Sequence, residues 1–226
     1  LALICEDGKP FGEEYTLVSV ADYLLSRAYN EALNTGKSIE EVTAPYQLAT
    51  SSNLSSSRAL RDVTEQYGGE YCAAAVGEVN VTTKMKGCGA LIGGEGNGGV
   101  IYPALHYGRD AMVGVALFLT NLAYKKIKVS ELRATYPEYV IAKNKIELSD
   151  SALIDRILDE IKNVYAAEDI NTIDGVKISF EARKEWVHLR RSNTEPIIRI
   201  YAEAATQEAA DALAQQIIDI AKKIIG

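Results

Sequence analysis

The chain has 226 residues, of which 47% are hydrophobic, and it is long enough to bury one large core or two small ones. Its formal net charge of −7 argues against a nucleic-acid-binding surface. Three cysteines without a C-x-x-C pair and only two histidines argue against a zinc centre, so no metal ligands are predicted in this chain. No apolar run reaches the ~18 residues of a membrane span, and no signal peptide is visible. We therefore expect a cytoplasmic protein with reduced thiols and no membrane contact.

The first part of the chain alternates apolar runs typical of strands with amphipathic helical patterns. Strands are predicted at residues 1–6, 46–50, 71–76 and 90–92, and helices at residues 13–34, 55–66, 79–85 and 110–122. The last of these helices is apolar nearly all round, which predicts a central position. The alternation predicts an α/β domain with a mixed, substantially parallel sheet, which we assign to residues 1–126.

The composition changes at residues 124–128, and a short helix at 130–135 leads to Pro137, where we place the domain boundary. Residues 137–226 follow a different order, which predicts a small α+β domain: a strand at 139–147, a helix at 151–165, several strands and a final helix. Thr206 is suited to cap the final helix. The predicted apolar face of this helix consists of Ala210, Leu213, Ala214, Ile217, Ala221 and Ile224.

A glycine loop, residues 93–99 with the sequence GGEGNGG, joins two apolar runs of the first domain. Its glycines allow the backbone to approach a ligand closely. Glu95 and Asn97 are two apart, so in an extended chain both point the same way, an arrangement that suits neighbouring hydroxyls of a sugar. The pattern is neither a Walker loop nor a Rossmann fingerprint, and a flexible β-turn is the alternative interpretation.

A second polar stretch, residues 106–110 with the sequence HYGRD, leads into the helix predicted at 110–122. Asp110 is placed to cap that helix, and Arg109 is a weaker candidate for supplying charge to a ligand. His106 lies in a loop beside glycines, whereas His188 lies inside a strand, where a structural role is favoured. The sequence shows no nucleophile paired with a base.

A polar loop in the second domain combines arginines with short hydrogen-bonding side chains. Arg190, Ser192, Asn193 and Thr194 present the guanidinium, hydroxyl and amide donors that a phosphate group accepts. Arg199 lies on the strand that leaves the loop and is a weaker candidate. The alternative interpretation is an ordinary hairpin turn with surface arginines.

Two of these stretches, taken together, resemble motifs of the α-D-phosphohexomutase superfamily, which includes phosphoglucomutases, phosphomannomutases and phosphoglucosamine mutases. Residues 190–196 (RRSNTEP) are similar to the family's phosphate-binding signature R-x-S-N/G-T-E-P in its fourth domain. Residues 94–99 (GEGNGG) are similar to the sugar-binding loop G-E-x-S-G of its third domain, with Asn97 where many members have serine. The loop and the HYGRD stretch are most similar to the phosphoglucosamine and phosphomannomutase branches.

The resemblance implies the C-terminal half, domains 3 and 4, of an enzyme that interconverts hexose 1-phosphates and 6-phosphates through a hexose 1,6-bisphosphate. It also implies that the phosphoserine and the Mg²⁺ ligands lie in two N-terminal domains of the same chain, so that this half alone is inactive. Gly94, Glu95, Asn97 and Gly98 would then hold the sugar, and the loop at 190–194 the phosphate that is not reacting. By the same resemblance, Glu78 borders the active site, although an acidic residue at a helix N-terminus explains it equally well. A stand-alone sugar-phosphate-binding module and a purely structural pair of domains are the alternatives.

Overall fold

The computed structural model describes residues 1–147, 152–192 and 197–225. The chain divides into two compact units, Leu1–Pro137 and Glu138–Gly226. Each unit has its own sheet, and each is described by itself. None of the described helices is both long enough and apolar enough to cross a bilayer.

The first unit is built on a four-stranded sheet with the order β2-β1-β3-β4. The strands are β1 (Gln47–Asn53), β2 (Glu70–Ala74), β3 (Ala90–Glu95) and β4 (Gly99–Ile101). β1 pairs in parallel with β2 and β3, whereas β4 runs antiparallel to β3. The carboxyl ends of the three parallel strands therefore lie at one edge, where ligands bind in open α/β sheets.

Six helices complete the first unit: α1 (Glu13–Thr35), α2 (Ile39–Thr43), α3 (Ala59–Gln66), α4 (Glu78–Cys88), α5 (Ala111–Lys125) and α6 (Val129–Ala134). A buried carboxylate on α1, Asp22, ties several of them together. It accepts hydrogen bonds from the hydroxyls of Tyr67 (2.8 Å) and Tyr136 (2.9 Å) and forms an ion pair with Lys125. These bonds satisfy a charge that would be costly to bury alone.

Three predictions about the strands and helices of this unit are wrong. Residues 1–6 form only an isolated bridge, between Ile4 and Pro10, because a turn folds the segment back on itself. The helix predicted from residue 55 begins at Ala59, because the serines before it bond locally to Asn53. α5 is not central, since its described buried residues are Gly114, Phe118 and Asn121, while Met112 and Leu119 are 77% and 57% exposed.

The second unit is a five-stranded antiparallel sheet with the order β5-β9-β8-β7-β6. Its elements are β5 (Val140–Glu147), α7 (Ala152–Val164), β6 (Asp169–Asn171), β7 (Val176–Phe180), a 3₁₀ turn (Glu181–Arg183), β8 (Glu185–Arg191), β9 (Ile197–Ala204) and α8 (Gln207–Ile225). Apolar residues of α7, α8 and the sheet form one core.

The face predicted for the last helix packs into this core, with Ile224 partly buried at its end. Thr206 accepts a hydrogen bond from the Ala209 N–H (3.2 Å), as a capping residue does. The predicted fold class, an α/β domain with a mixed sheet followed by a small α+β domain, is confirmed.

Candidate functional site

The Glu95 carboxylate lies at the carboxyl end of β3 and is held there by three groups. Its Oε1 accepts hydrogen bonds from the Asn53 side-chain amide (3.0 Å) and from the Gly77 backbone N–H (3.3 Å). Its Oε2 lies 3.6 Å from Nη1 of Arg109. Glu95 is only 7% exposed, so this network compensates the cost of burying its charge.

Arg109 connects the end of β3 with the start of α4. Its Nε donates to Oε2 of Glu78 (2.8 Å), and its backbone N–H donates to Oε1 of the same residue (3.2 Å). These hydrogen bonds lower the pKa of Glu78 from its usual range, the backbone bond contributing most. The two weaker candidates of the first domain therefore lie together, next to Glu95.

The glycine loop is a tight hairpin turn between β3 and β4, so Glu95 and Asn97 do not share one extended face as predicted. Asn97 is exposed, and its Oδ1 accepts from the Gly99 N–H (3.2 Å), which closes the turn. Gly94 lies within β3, opposite Val100. Gly98 has φ of 80°, in the left-handed region that favours glycine.

A carboxylate from α1 abuts the glycine loop. A Cβ atom added at Gly96 would collide with the Glu14 carboxylate, so no side chain fits at residue 96 without a shift. Glu14 also accepts a hydrogen bond from the Ser57 N–H (2.8 Å). The start of α1 therefore packs against the glycine loop, and Glu14 also links it to the segment before α3.

Asn53 and Ser56 form a clamp on the glycine loop that the sequence analysis missed. The Asn53 Oδ1 accepts from the Ser55 N–H (2.9 Å) and the Ser56 hydroxyl (3.2 Å). Ser56 Oγ in turn accepts from the Gly96 N–H (3.0 Å). The sequence signal for this clamp was a run of polar residues directly after a buried parallel strand. Side chains at such positions converge at the carboxyl edge of the sheet.

A cavity of about 420 Å³ adjoins the glycine loop, a volume in the range of small-molecule pockets. Its polar lining includes Glu13, Asn97, Arg109 and Asp110. Asp110 caps α5, as predicted, through hydrogen bonds from the Met112 and Val113 N–H groups.

His106 extends this cluster. Its Nε2 lies 3.1 Å from Oδ2 of Asp110, while the other oxygen of Asp110 caps α5. The pKa of Asp110 is lowered, chiefly by the backbone hydrogen bond from Val113 and then by His106. Among the described residues, no group of three or more histidine, cysteine or acidic side chains is arranged to hold a metal ion.

The arginine hairpin, formed by β8 and β9, carries two arginines directly opposite each other. Arg190 pairs with Arg199 across the strands, and like charges in this position repel. Nε of Arg190 is buried and has no hydrogen-bond partner in the described part of the chain. A buried donor on a cation beside a second cation fits an anionic ligand.

Ser192 is buried at the end of the hairpin, and its N–H donates to the Ile197 carbonyl (3.0 Å). The other two predicted phosphate-binding residues, Asn193 and Thr194, lie outside the described residues. Arg191 is exposed and lies 3.6 Å from Asp155 on α7, so it has a partner of its own.

His188 has the structural role expected from its place in a strand. It is 1% exposed, and its Nε2 lies 2.6 Å from the Asp174 carbonyl. Burial is the main cause that lowers its pKa to about 4, so the imidazole is neutral in the folded protein at neutral pH.

The first unit is an α/β domain with a small-molecule-sized cavity at the carboxyl edge of its parallel sheet. The second is a small α+β domain that carries the arginine hairpin. A family model described as phosphoglucomutase/phosphomannomutase, alpha/beta/alpha domain III, matches residues 14–139. A second model, the C-terminal domain of the same family, matches residues 144–220. The chain therefore belongs to the phosphoglucomutase/phosphomannomutase family, as the two sequence motifs indicated.

Similar proteins carry related names. The chain is 35% identical over 174 residues to a phosphoglucosamine/phosphogalactosamine mutase of Sulfurisphaera tokodaii, a match that covers 76% of the chain and 37% of that protein. It is 31% identical to a probable phosphoglucosamine mutase of Methanopyrus kandleri, over 95% of the chain and 47% of the relative. The chain thus spans less than half the length of these relatives.

Solved structures share the fold at lower identity. A phosphoglucomutase/phosphomannomutase family protein from Burkholderia thailandensis aligns with a TM-score of 0.74 at 22% identity, over 98% of this chain and 43% of that one. An Aspergillus fumigatus N-acetylphosphoglucosamine mutase, in complex with GlcNAc-6P and magnesium, aligns with a TM-score of 0.68 at 14% identity, over 100% and 46%.

Proposed function

We propose that this chain is the substrate-recognition half of a phosphohexomutase, and that the glycine loop binds the sugar while the arginine hairpin binds a phosphate. The complete enzyme would interconvert a hexose 1-phosphate and a hexose 6-phosphate through a hexose 1,6-bisphosphate. The names of the relatives favour an aminohexose phosphate as substrate. The three free cysteines support a reducing compartment, which we take to be the cytoplasm.

The observation that carries the proposal is the held carboxylate of Glu95. Asn53 and Gly77 fix one of its oxygens, so the side chain has a single orientation before any ligand arrives. The other oxygen lies beside the Arg109 guanidinium, at the edge of the sheet where ligands bind. A carboxylate and a guanidinium side by side accept from and donate to neighbouring hydroxyls of a sugar ring.

The arginine hairpin supplies the second part of the proposal. Arg190 and Arg199 lie opposite each other, and the Arg190 Nε lacks a partner within the described ranges. A phosphate dianion would both relieve the repulsion and accept that hydrogen bond. We propose that Ser192, Asn193 and Thr194 complete this site.

Recognition of two regions of one ligand has a mechanistic purpose in such a reaction. The phosphate held by the hairpin does not react, and its binding energy positions the other end of the sugar for transfer. Because the bisphosphate must bind in two orientations, the sugar contacts must accept either face of the ring. We propose that the phosphoserine and the Mg²⁺ ligands belong to preceding domains, and no magnesium ligand is assigned among the described residues.

The test is a calorimetric titration of the chain with glucose 1,6-bisphosphate and glucosamine 6-phosphate. We expect the Arg190→Ala variant to bind either ligand roughly ten- to a hundredfold more weakly, because a charge-assisted hydrogen bond is lost. Arg191→Ala is the matched control, since Arg191 is exposed and already faces Asp155.

Each outcome separates the proposed roles. Equal losses in both arginine variants would mean that only general positive charge attracts the ligand, and would refute the assignment of Arg190. Binding that depends on Arg190 but stays catalytically silent after domains 1 and 2 of a relative are supplied would favour a stand-alone sugar-phosphate-binding module.

A further inference from the structure

The antiparallel sheet of the second unit has one apolar face and one face that carries cations. Every second residue of β9 from Ile198 to Ala204 packs into the core together with α7 and α8. Successive side chains of a strand point to opposite faces, so Arg199 lies on the face away from these helices. The phosphate site proposed for the arginine hairpin would use this face.

Arg199 has a cation opposite it on each side. β9 lies between β5 and β8 in the sheet, and Arg199 is paired with Lys145 of β5 as well as with Arg190 of β8. Directly opposite side chains of antiparallel strands lie on one face, with Cβ atoms about 5 Å apart. Lys145, Arg199 and Arg190 therefore form a row of three cations across three strands, which we call the cation row.

A carboxylate of the same strand holds the Lys145 ammonium. Lys145 Nζ lies 2.8 Å from Oε1 of Glu147, which is opposite Ile197 at the start of β9. The hydrogen bond from Lys145 is the main cause that lowers the pKa of Glu147, so this carboxylate is charged at neutral pH. The two side chains are 57% and 74% exposed, and such an ion pair adds little stability. A more highly charged anion can therefore replace Glu147 at the ammonium.

Two lysines on the adjacent positions of this face contact aromatic rings instead. Lys143 is paired with Tyr201, and its Nζ lies 5.9 Å from the centre of that ring. Nζ of Lys177 lies 4.0 Å from the centre of the Trp186 ring. Cation–π attraction favours keeping each ammonium over its ring. Lys145, in contrast, is the lysine placed opposite Arg199.

We propose that Lys145 is a further phosphate-binding residue of the arginine hairpin, whose ammonium moves from Glu147 to the dianion of a phosphate monoester. This inference rests on the phosphate site proposed above. A phosphate dianion relieves the repulsion along the cation row, and its oxygens accept hydrogen bonds from an ammonium as well as from a guanidinium. The flexible four-carbon stem of lysine allows the exchange without a change in the backbone.

The experiment titrates the folded chain with inorganic phosphate at about pH 8, where the dianion predominates, and at constant ionic strength. The rise of the thermal midpoint with phosphate gives the dissociation constant. We expect Lys145→Met to raise this constant roughly fivefold, because a charge-assisted contact to the anion is lost. Glu147→Gln should lower it roughly threefold, because the ammonium no longer has to leave a carboxylate. Lys145→Arg keeps the charge and should stay within about twofold of the wild type.

An ion pair on α7 provides matched controls. Nζ of Lys162 lies 2.7 Å from Oδ1 of Asp159, both side chains are exposed, and α7 packs on the opposite face of the sheet. Lys162→Met and Asp159→Asn should leave the dissociation constant unchanged. A loss of affinity in Lys162→Met equal to that in Lys145→Met would mean that only net charge attracts phosphate, and would overturn the proposal.

Two further variants separate the steps of the proposal. In the Lys145→Met background, Glu147→Gln should strengthen binding less, because no ammonium is left to release, and an equal gain in both backgrounds would refute the exchange. Unchanged affinity in Lys145→Met together with lost affinity in Arg190→Met would overturn this inference and leave the proposed function intact. Unchanged affinity in both of these variants would overturn the proposed phosphate site itself.

Discussion

The glycine loop and the arginine hairpin hold their charged groups in opposite ways. Glu95 is buried with its hydrogen bonds formed by Asn53 and Gly77 and a guanidinium nearby, so the loop is organised without a ligand. The hairpin instead sets Arg190 against Arg199 and leaves a buried donor of Arg190 without a described partner. Because the glycine loop is already ordered, little conformational entropy is lost when a ligand binds, which favours selectivity. The arginine hairpin instead favours strong attraction to an anion.

The largest loss of stability should come from removing the hydrogen bond that compensates the buried charge of Glu95. Asn53→Asp replaces a donor 3.0 Å from Oε1 by a second carboxylate, and we expect a loss of about 3 kcal/mol in the free energy of unfolding. The loss should shrink as the pH falls, because one of the two carboxyl groups then protonates. Denaturant titrations at neutral and acidic pH measure both effects.

Asn80→Asp is the matched control, since Asn80 is exposed in the first turn of α4 and bonds only to the Val76 carbonyl among the contacts described. An added acid there should be neutral or slightly stabilising. Equal destabilisation by the two variants would mean that Glu95 is not held as the geometry indicates.

The hairpin should show its own response to pH through His188. Its pKa is lowered from 6.5 to about 4 in the fold, so the unfolded chain binds more protons between these values. The stability contribution is therefore complete above pH 6.5 and is lost as the pH falls toward 4, a decrease of about 3 kcal/mol. His188→Gln should flatten this part of the stability profile, measured by denaturant titration.

His106 provides the comparison with the first unit. Its side chain is 49% exposed beside Asp110, so His106→Gln removes an imidazole that solvent already reaches. A profile altered as much by His106→Gln as by His188→Gln would contradict the assignment of the slope to the buried imidazole.

A variant of Arg190 separates anion binding by the hairpin from the stability of the fold. Arg190→Met keeps most of the aliphatic stem and removes the charge that faces Arg199. We expect the free energy of unfolding without ligand to change by less than ~0.5 kcal/mol, because a like-charge repulsion is relieved. Inorganic phosphate should then raise the thermal midpoint of the wild type and leave that of the variant nearly unchanged, whereas a phosphate shift of equal size in both would place the anion elsewhere.

The smallest effect on ligand binding is expected at Arg109. Arg109→Lys keeps the positive charge but loses the geometry that reaches both Glu78 and Glu95. Both Arg109 and Glu78 are substantially exposed, so stability should change by less than ~1 kcal/mol. The ratio of the affinities for glucosamine 6-phosphate and its C4 epimer, galactosamine 6-phosphate, should fall several-fold in calorimetric titrations. An unchanged ratio would remove Arg109 from the sugar site.

Sequence patterns predicted the parts of this molecule that depend on local periodicity. The apolar face of α8 and the capping roles of Asp110 and Thr206 follow from spacing and residue type alone. The exposure of α5 did not follow, because an apolar composition does not say which neighbours cover a helix.

The same limit applies to the candidate site. The glycine loop was found from its composition, but the shared face predicted for Glu95 and Asn97 was wrong, the β-turn was only the alternative interpretation, and the clamp was missed. Asn53 is 42 residues from Glu95 in the chain, and Arg109 is 31 residues from Glu78. Such contacts arise only when parallel strands bring their carboxyl ends to one edge of the sheet. A motif within one stretch of sequence therefore cannot predict them.

The contact between Glu14 and Gly96 has an evolutionary consequence. The loop signature G-E-x-S-G leaves its third position open, yet here the Glu14 carboxylate occupies the space that a side chain at residue 96 would need. Related sequences with a side chain at the equivalent of residue 96 should therefore have a shorter residue, or a displaced helix start, at the equivalent of Glu14. The two positions should covary, although 82 positions separate them along the chain and neither is assigned a ligand contact.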